Sequence, residues 1–96
     1  MKTMTAKEVE QQLSEALNII DVREDEEVAE GKIPGAAHIP LGFIEERAVE
    51  LDKDTPYIMV CRSGGRSGRA SEILMSKGFD VTNMEGGMLA WEGPTE

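Results

Sequence analysis

The sequence predicts an α/β fold built on a mostly parallel sheet. Short apolar runs alternate along the chain with stretches in which apolar residues recur at helical spacing. Glycine and proline residues fall mainly between these segments, where turns are expected. The chain has 96 residues, without an internal repeat or a linker, so a single domain over residues 1–96 is predicted.

The N-terminal part of the chain predicts an edge strand, a capped helix and a buried strand. Residues 1–5 are expected to be the edge strand. Thr5 and the Glu three positions later have the spacing of a capping box, which predicts a helix over 6–16. The apolar run 18–22 predicts a buried strand. The acidic segment 24–30 is expected to be a loop with one helical turn, and its run Glu24 to Glu27 is expected to be either a solvated face or a docking site for a basic partner.

The middle of the chain predicts a turn, a strand and a helix. Residues 31–35 contain two Gly and one Pro, which favours a turn. A short strand is expected over 36–39, because Pro40 stops it. Apolar residues at helical spacing predict a helix over 42–51, and a polar connector follows.

The last third of the chain predicts a helix, a strand and a short terminal helix. Apolar residues at helical spacing predict a helix over 68–77, and Gly78 is suited to ending it. A final strand is expected over 79–84 and a short helix over 88–91, followed by a tail over 92–96.

The net charge of −9 argues against general binding to nucleic acids or membranes. The charge is unevenly distributed. Residues 1–54 contain 14 acidic and 6 basic residues, whereas residues 55–96 contain 5 acidic and 4 basic residues. The sequence contains no long apolar run, so neither a signal peptide nor a membrane span is predicted. We therefore expect a cytoplasmic protein, in which a free thiol stays reduced, and we expect it to be a monomer.

The segment 61–67 has the composition of an anion-binding loop that carries a nucleophile. It reads Cys-Arg-Ser-Gly-Gly-Arg-Ser, and it follows the predicted strand 57–60 and precedes a predicted helix. The carboxyl ends of parallel strands are where such sheets build their sites. Two glycines allow successive backbone amides to point at one spot, and the helix directs its positive end at the same spot. The sequence therefore predicts that Cys61 ionises easily and acts as a nucleophile.

A structural cysteine, a simple turn and a solvated helix start are the alternative interpretations of the same segment. The cysteine, the two glycines and the arginines occur together within seven residues, and this combination favours the functional interpretation. Cys61 is the only cysteine, which excludes an internal disulfide and a structural zinc site based on cysteines. The single histidine, His38, is expected to be structural. No metal and no cofactor are predicted.

Three stretches, in this order, resemble the single-domain rhodanese-like sulfurtransferases. The first is Asp21-Val22-Arg23-Glu24 with Gly31 to Ala36 and Ile39-Pro40. The second is the segment 61–67 with Ala70, and the third is Glu85-Gly86-Gly87 with Trp91. The chain departs from the family pattern at Lys32, where the family often has His, and at Val28, where it often has an aromatic residue.

The resemblance implies a central five-stranded, mostly parallel sheet with helices on both faces. It implies that Cys61 takes a sulfane sulfur from a donor such as thiosulfate, holds it as a persulfide and passes it to an acceptor, cyanide in the test reaction. It also implies that Arg62 and Arg66 are cationic residues that favour an anionic donor.

The other residues of the loop are expected to bind the substrate with backbone amides and hydroxyl groups. These residues are Ser63, Gly64, Gly65 and Ser67, and Ser67 is equally placed to cap the following helix. Arg66 is expected either to contact the substrate or to brace the loop through a carboxylate. Asp21 and Arg23 are expected to form a partly buried ion pair that supports the neighbouring segments.

Two other functions remain open from the sequence. The first is a phosphatase or an arsenate reductase. The dual-specificity cell-cycle phosphatases share the fold implied by the resemblance, but five residues separate Cys from Arg in their loop, against four here. A tighter ring suits one sulfur atom better than a tetrahedral phosphate. The second alternative is a sulfur relay between proteins, or a regulatory binding module with little thiosulfate activity, in which a protein persulfide is the donor or acceptor.

Overall fold

The computed structural model describes all residues from Met1 to Glu96 and contains one five-stranded sheet. The strands are β1 (Lys2–Thr5), β2 (Ile19–Asp21), β3 (Ala37–His38), β4 (Tyr57–Val60) and β5 (Val81–Glu85). Their order across the sheet is β1-β5-β4-β2-β3, and all neighbouring strands are parallel. The predicted α/β class with a mostly parallel sheet is therefore confirmed, and the loop after β4 leaves the centre of the sheet.

Four α-helices connect the strands, with short 3₁₀ turns between them. The helices are α1 (Ala6–Gln11), α2 (Asp25–Ala29), α3 (Ile44–Arg47) and α4 (Gly65–Ser76). The 3₁₀ turns are Leu13–Glu15, Leu41–Phe43, Ala48–Glu50 and Gly87–Ala90. No helix is long and apolar enough to cross a membrane.

Helix α1 is shorter than predicted, although its start is as expected. Thr5 and Glu8 form the capping box, with Glu8 N donating to Thr5 Oγ1 over 3.1 Å. The helix ends at Gln11, and Ala16 takes a left-handed conformation with φ +55°. The chain must reverse there to enter β2, so the helical spacing of the apolar residues does not continue as a helix.

The other elements also differ from the prediction at their boundaries. The predicted helix 42–51 is divided into α3 and two 3₁₀ turns. The acidic segment forms α2, which has its own capping box between Glu24 and Glu27. Strand β5 begins at Val81 rather than at Phe79, because Phe79 belongs to the turn after α4, where its N–H donates to Leu74 O.

Both faces of the sheet are buried, so the core has two halves. One half lies under α3 and α4 and the other under α1 and the 3₁₀ turn Gly87–Ala90. Residues of β4 alternate between the halves, with Met59 and Cys61 on one side and Ile58 and Val60 on the other. Helices therefore cover both faces, and the same alternation places the Cys61 side chain on the face covered by α4.

The end of the chain is paired rather than free. The backbone N–H and C=O of Lys32 and Glu96 bond to each other, over 3.2 and 2.9 Å. The Lys32 ammonium also pairs with the Glu96 carboxylate and donates to Ala36 O. The predicted tail is thus a strap across the turn 31–35, a pairing that local sequence patterns do not predict.

Candidate active site

Cys61 lies directly after the central strand β4, and its side chain is 1% exposed. Cys61 O and Arg62 O accept hydrogen bonds from Met88 N and Leu89 N, over 2.9 and 3.0 Å. The backbone of the 3₁₀ turn Gly87–Ala90 therefore holds the start of the loop 61–67 in position.

Gly87 allows this close contact. A Cβ atom at this position would lie 2.4 Å from Arg62 O and 2.5 Å from Cys61 O, and the φ of Gly87 is +56°. Both the missing side chain and the left-handed backbone require glycine. The Glu85-Gly86-Gly87 stretch thus places one turn against the back of the loop.

The sulfur of Cys61 accepts hydrogen bonds from two sides of the loop. Gly64 N donates to Sγ over 3.0 Å, and the Ser67 hydroxyl lies 3.3 Å from Sγ. Burial raises the pKa of the Cys61 thiol. Hydrogen bonds from the Ser67 side chain and from the amides of Ser67, Gly64 and Ser63 outweigh that effect and bring the pKa below its usual value. The thiolate is therefore favoured by neutral donors that already surround it.

The loop contains more amide donors than it uses. The amides of Arg62, Gly65 and Arg66 have no backbone acceptor, and the last two lie in the first turn of α4, whose N–H groups have no partner within the helix. Gly64 turns the loop with φ +107°, and Gly68 N donates to Gly64 O to start the helix. Helix α4 starts three residues earlier than predicted, so Arg66 and Ser67 lie in its first turn rather than in the loop.

The Ser67 side chain is buried and connects the sulfur to β5. It donates to Asn83 Oδ1 and also lies 3.3 Å from Gly64 O. Asn83 Nδ2 donates to the same Gly64 O over 3.1 Å. Asn83 was not singled out from the sequence, since a polar residue in a strand carries no local signal of a contact 16 residues away.

Arg66 is paired with a carboxylate of α2. Its two terminal nitrogens donate to Glu27 Oε1 and Oε2 over 2.6 and 2.8 Å. The bidentate hydrogen bond lowers the pKa of Glu27 to about 2 and raises the pKa of Arg66. Of the two roles left open by the sequence, the structure contains the bracing contact. The sequence predicts a solvated face or a docking site at Glu27 and not this contact, since only the fold brings α2 next to the start of α4.

Asp21 and Arg23 form a buried ion pair at the end of β2. The Arg23 Nη2 donates to Asp21 Oδ2 over 2.8 Å, and Arg23 Nε donates to Asp21 Oδ1 over 3.0 Å. Arg23 also donates to Glu27 O and Gly31 O, over 3.3 and 2.8 Å. Arg23 thus anchors the middle of α2, the helix that carries the partner of Arg66, and the turn that follows it.

The remaining loop side chains face outward. Arg62, Ser63 and Gly65 are exposed, and Arg62 forms no ion pair. The Arg62 side chain lines an open groove of about 510 Å³ beside the loop. The groove is also lined by the acidic residues Glu27 and Glu30 and by the apolar residues Met88, Leu89 and Trp91.

His38 and Trp91 make local contacts. His38 Nε2 donates to Arg23 O over 2.7 Å, which fixes the end of β3 to the turn after β2. Trp91 packs against the core half under α1, and its Nε1 donates to Pro94 O over 2.9 Å. Neither side chain contacts Cys61.

Comparison with known proteins identifies the class to which this arrangement belongs. The family model for rhodanese-like domains matches residues 5–94. The protein therefore belongs to the rhodanese-like domain family, whose relatives include proteins named as sulfurtransferases.

Three curated relatives illustrate this similarity. A Bacillus subtilis protein named as a sulfurtransferase, YtwF, is 56% identical over 85% of this chain and 80% of its own length. A Bacillus subtilis protein named as a sulfur carrier, YrkF, is 47% identical, and the chain spans only 45% of its length. The thiosulfate sulfurtransferase GlpE of Pseudoalteromonas translucida is 37% identical over 77% of this chain and 71% of its own length.

A solved structure supports the same fold. The rhodanese-like domain protein of Staphylococcus aureus superposes with a TM-score of 0.95 and 40% identity. The match covers 100% of this chain and 97% of that one. The rhodanese-like resemblance inferred from the three sequence stretches is confirmed, as is the five-stranded sheet that it implied.

Proposed function

We propose that this protein is a sulfurtransferase in which Cys61 carries a sulfane sulfur as a persulfide. The observation that carries the proposal is the position of Cys61 Sγ inside a ring of donors, with Gly64 N at 3.0 Å and the Ser67 hydroxyl at 3.3 Å. The loop amides without a backbone acceptor, those of Arg62, Gly65 and Arg66, are the donors proposed for the second sulfur atom. Such a ring stabilises negative charge first on Sγ and then on the terminal sulfur.

The reaction with thiosulfate balances without a proton donor. The Cys61 thiolate attacks the outer sulfur, a new S–S bond forms, and the old S–S bond breaks with its electron pair going to sulfite. The product is a persulfide anion, held by the loop amides. An acceptor such as cyanide then takes the terminal sulfur and restores the thiolate. Sulfite is already a stable anion, so no general acid is needed.

Arg62 is the cation proposed to bind the sulfonate end of the donor. It lies next to Cys61 in the loop, is exposed, and has no carboxylate partner, whereas Arg66 is held by Glu27. A guanidinium can bind two oxygens of a sulfonate with parallel hydrogen bonds. The anionic donor is thus proposed to lie in the groove with its outer sulfur directed at Cys61.

The pairing of Arg66 also argues against phosphatase chemistry. A phosphatase of this fold needs the arginine that ends the loop to bind the phosphate. Here that arginine is Arg66, and both terminal nitrogens of its guanidinium donate to the Glu27 carboxylate. Four residues between Cys61 and Arg66 leave a small ring, which suits a single sulfur atom.

The groove favours a second candidate, a relay that exchanges sulfur with another protein. Leu89 is 67% exposed at the edge of the loop, and Met88 and Trp91 lie beside it. An exposed apolar residue next to a reactive thiol suits contact with a protein surface. The relative named as a sulfur carrier is consistent with this role for the family.

The intact mass of the reduced protein tests the proposal. We expect thiosulfate to add one sulfur atom, cyanide to remove it as thiocyanate, and the Cys61→Ser variant to gain none. The relay is distinguished by loading with a cysteine desulfurase and free cysteine. Loading by this protein donor but not by thiosulfate would favour the relay. No gain from either donor, with the fold intact, would contradict the persulfide mechanism.

A further inference from the structure

The Ser67 hydroxyl has one proton and three acceptors within reach. These acceptors are Asn83 Oδ1, Cys61 Sγ at 3.3 Å and Gly64 O at 3.3 Å. A hydroxyl donates one hydrogen bond at a time, although its oxygen can accept others. A proton given to Asn83 is therefore not available to the sulfur.

The orientation of the Asn83 amide is fixed by its second contact. Asn83 Nδ2 donates to Gly64 O over 3.1 Å, and the amide oxygen must then face Ser67. Asn83 lies on β5, directly opposite Met59 of β4, so the strand pairing places it beside the loop. Gly64 O also accepts from Gly68 N over 3.0 Å, so this carbonyl keeps a donor when Asn83 is replaced.

We propose that Asn83 is a positioning residue that competes with Cys61 Sγ for the proton of the Ser67 hydroxyl. In the thiol state, the Cys61 S–H donates to Ser67 Oγ, and Ser67 donates to Asn83 Oδ1. In the thiolate state, the Ser67 hydroxyl turns to Sγ and Asn83 loses this donor. The side-chain amide of Asn83 therefore opposes ionisation of the Cys61 thiol, whereas the Ser67 hydroxyl and the backbone amides of the loop favour it.

This competition matters for a nucleophile. The nucleophilicity of a thiolate falls as the pKa of its thiol falls, so a thiolate that is strongly stabilised by hydrogen-bond donors attacks slowly. Asn83 limits how far the thiolate is stabilised. When charge moves from Sγ to the terminal sulfur of a persulfide, Sγ becomes a weak acceptor and the hydroxyl returns to Asn83. This last step rests on the proposed function, whereas the competition for the proton rests on the geometry alone.

Charged groups around Cys61 stay the same in Asn83→Leu and in Ser67→Ala. They belong to the loop and α4, to α2, to the end of β2 and to the end of β5, and they are Arg62, Arg66, Glu27, Asp21, Arg23 and Glu85. The 3₁₀ turn Gly87–Ala90, which also packs on the loop, carries no charged side chain. A difference between variants therefore reports the hydroxyl and the amide.

The experiment measures the pKa of Cys61 from the rate of alkylation by iodoacetamide as a function of pH, on the reduced protein. We expect Asn83→Leu to lower the pKa by roughly half a unit to one unit, the size of one neutral hydrogen bond. Ser67→Ala should raise the pKa, because the sulfur loses a donor. In the Ser67→Ala background, Asn83→Leu should have no further effect.

An unchanged or raised pKa in Asn83→Leu overturns the proposal, and so does an equal shift in both backgrounds. Thermal melting checks that each variant folds. If Asn83→Leu does not fold, Asn83→Asp replaces it, since its carboxylate holds the hydroxyl proton more strongly. The rise in pKa caused by Asn83→Asp must then be larger with Ser67 present than in the Ser67→Ala background. Equal rises overturn the proposal. No sulfur donor is used, so these results are independent of sulfur transfer.

Discussion

At the scale of single residues, the two arginines that flank the glycines of the loop have different surroundings. Arg66 donates its two terminal nitrogens to Glu27, whereas Arg62 lines the groove and forms no ion pair. The charge of Arg66 is therefore largely neutralised by its partner, and the charge of Arg62 is available to an anion. Two predictions follow from this difference.

Replacing Arg62 by Ala should raise the KM for thiosulfate by about three- to tenfold, the value of one exposed charge-assisted contact. The kcat should change less, because the contact is already made in the bound ground state. Arg69→Ala is the matched control, since Arg69 is also exposed and forms no ion pair. Steady-state kinetics check this, and equal KM values in the two variants would show that Arg62 does not bind the donor.

The ion pair between Glu27 and Arg66 should make stability depend on pH. The pKa of Glu27 is lowered from 4.5 to about 2 in the folded protein, so the stabilisation is complete above about pH 5 and is lost as pH falls towards 2. Both side chains are about a third exposed, so we expect about 1–2 kcal/mol after screening by solvent.

Thermal melts between pH 6 and pH 3 measure this effect. The wild type should lose more stability than Glu27→Gln over this range. Glu26→Gln is the control, because Glu26 is an exposed neighbour on α2 without an ion pair. Parallel pH profiles for the wild type and Glu27→Gln would contradict the assignment.

At the scale of elements, the site depends on how the Gly87–Ala90 turn packs against the loop after β4. Backbone groups make this contact directly, with Met88 N and Leu89 N donating to the loop carbonyls. Nothing larger than a hydrogen atom fits at Gly87. The position of the loop 61–67 is thus set by a segment that donates no side-chain hydrogen bond to Cys61.

Gly87→Ala should destabilise the protein by about 3 kcal/mol or more, since a Cβ would overlap the carbonyls of Cys61 and Arg62. Gly35→Ala separates this overlap from backbone strain. Gly35 has φ +80°, and a Cβ there meets nothing within 4 Å, so we expect a loss of only about 1 kcal/mol. Chemical denaturation measures both values, and equal losses would mean that the overlap is relieved by a small shift of the turn.

At the scale of the whole molecule, a chain of contacts connects the sheet to the loop through α2. It runs from Asp21 to Arg23, from Arg23 to the backbone at Glu27 and Gly31, and from the Glu27 side chain to Arg66. Lys32, which follows Gly31, pairs with Glu96 and so connects these contacts to residue 96. The acidic half of the sequence is thereby used to hold the cationic loop in place.

Arg23→Met should destabilise the whole protein by about 3–5 kcal/mol, because it leaves the buried Asp21 carboxylate without its partner. Arg47→Met is the control for the loss of an arginine, since Arg47 pairs with Glu50 at the surface. We expect that control to melt close to the wild type. Similar melting temperatures for the two variants would show that burial of the Asp21–Arg23 pair adds nothing to stability.

The position of Cys61 at the end of a central strand was predictable from the sequence alone. The apolar run 57–60, the glycines and the helical spacing that follows are local signals, and the motif resemblance pointed to the same place. The start of α4 at Gly65 was not predictable. Apolar residues mark the buried face of a helix, and the first turn of α4 contains only Gly, Arg and Ser.

The sequence by itself determined the α/β class, the family and the segment that carries the thiol, because each is read from short local patterns and from their order along the chain. Only the tertiary structure decided which carboxylate Arg66 binds, that Asn83 reaches Ser67, and that Glu96 pairs with Lys32. These contacts join residues 39, 16 and 64 positions apart. The strand order brings such segments together, and no local pattern of polar residues encodes which of them will meet.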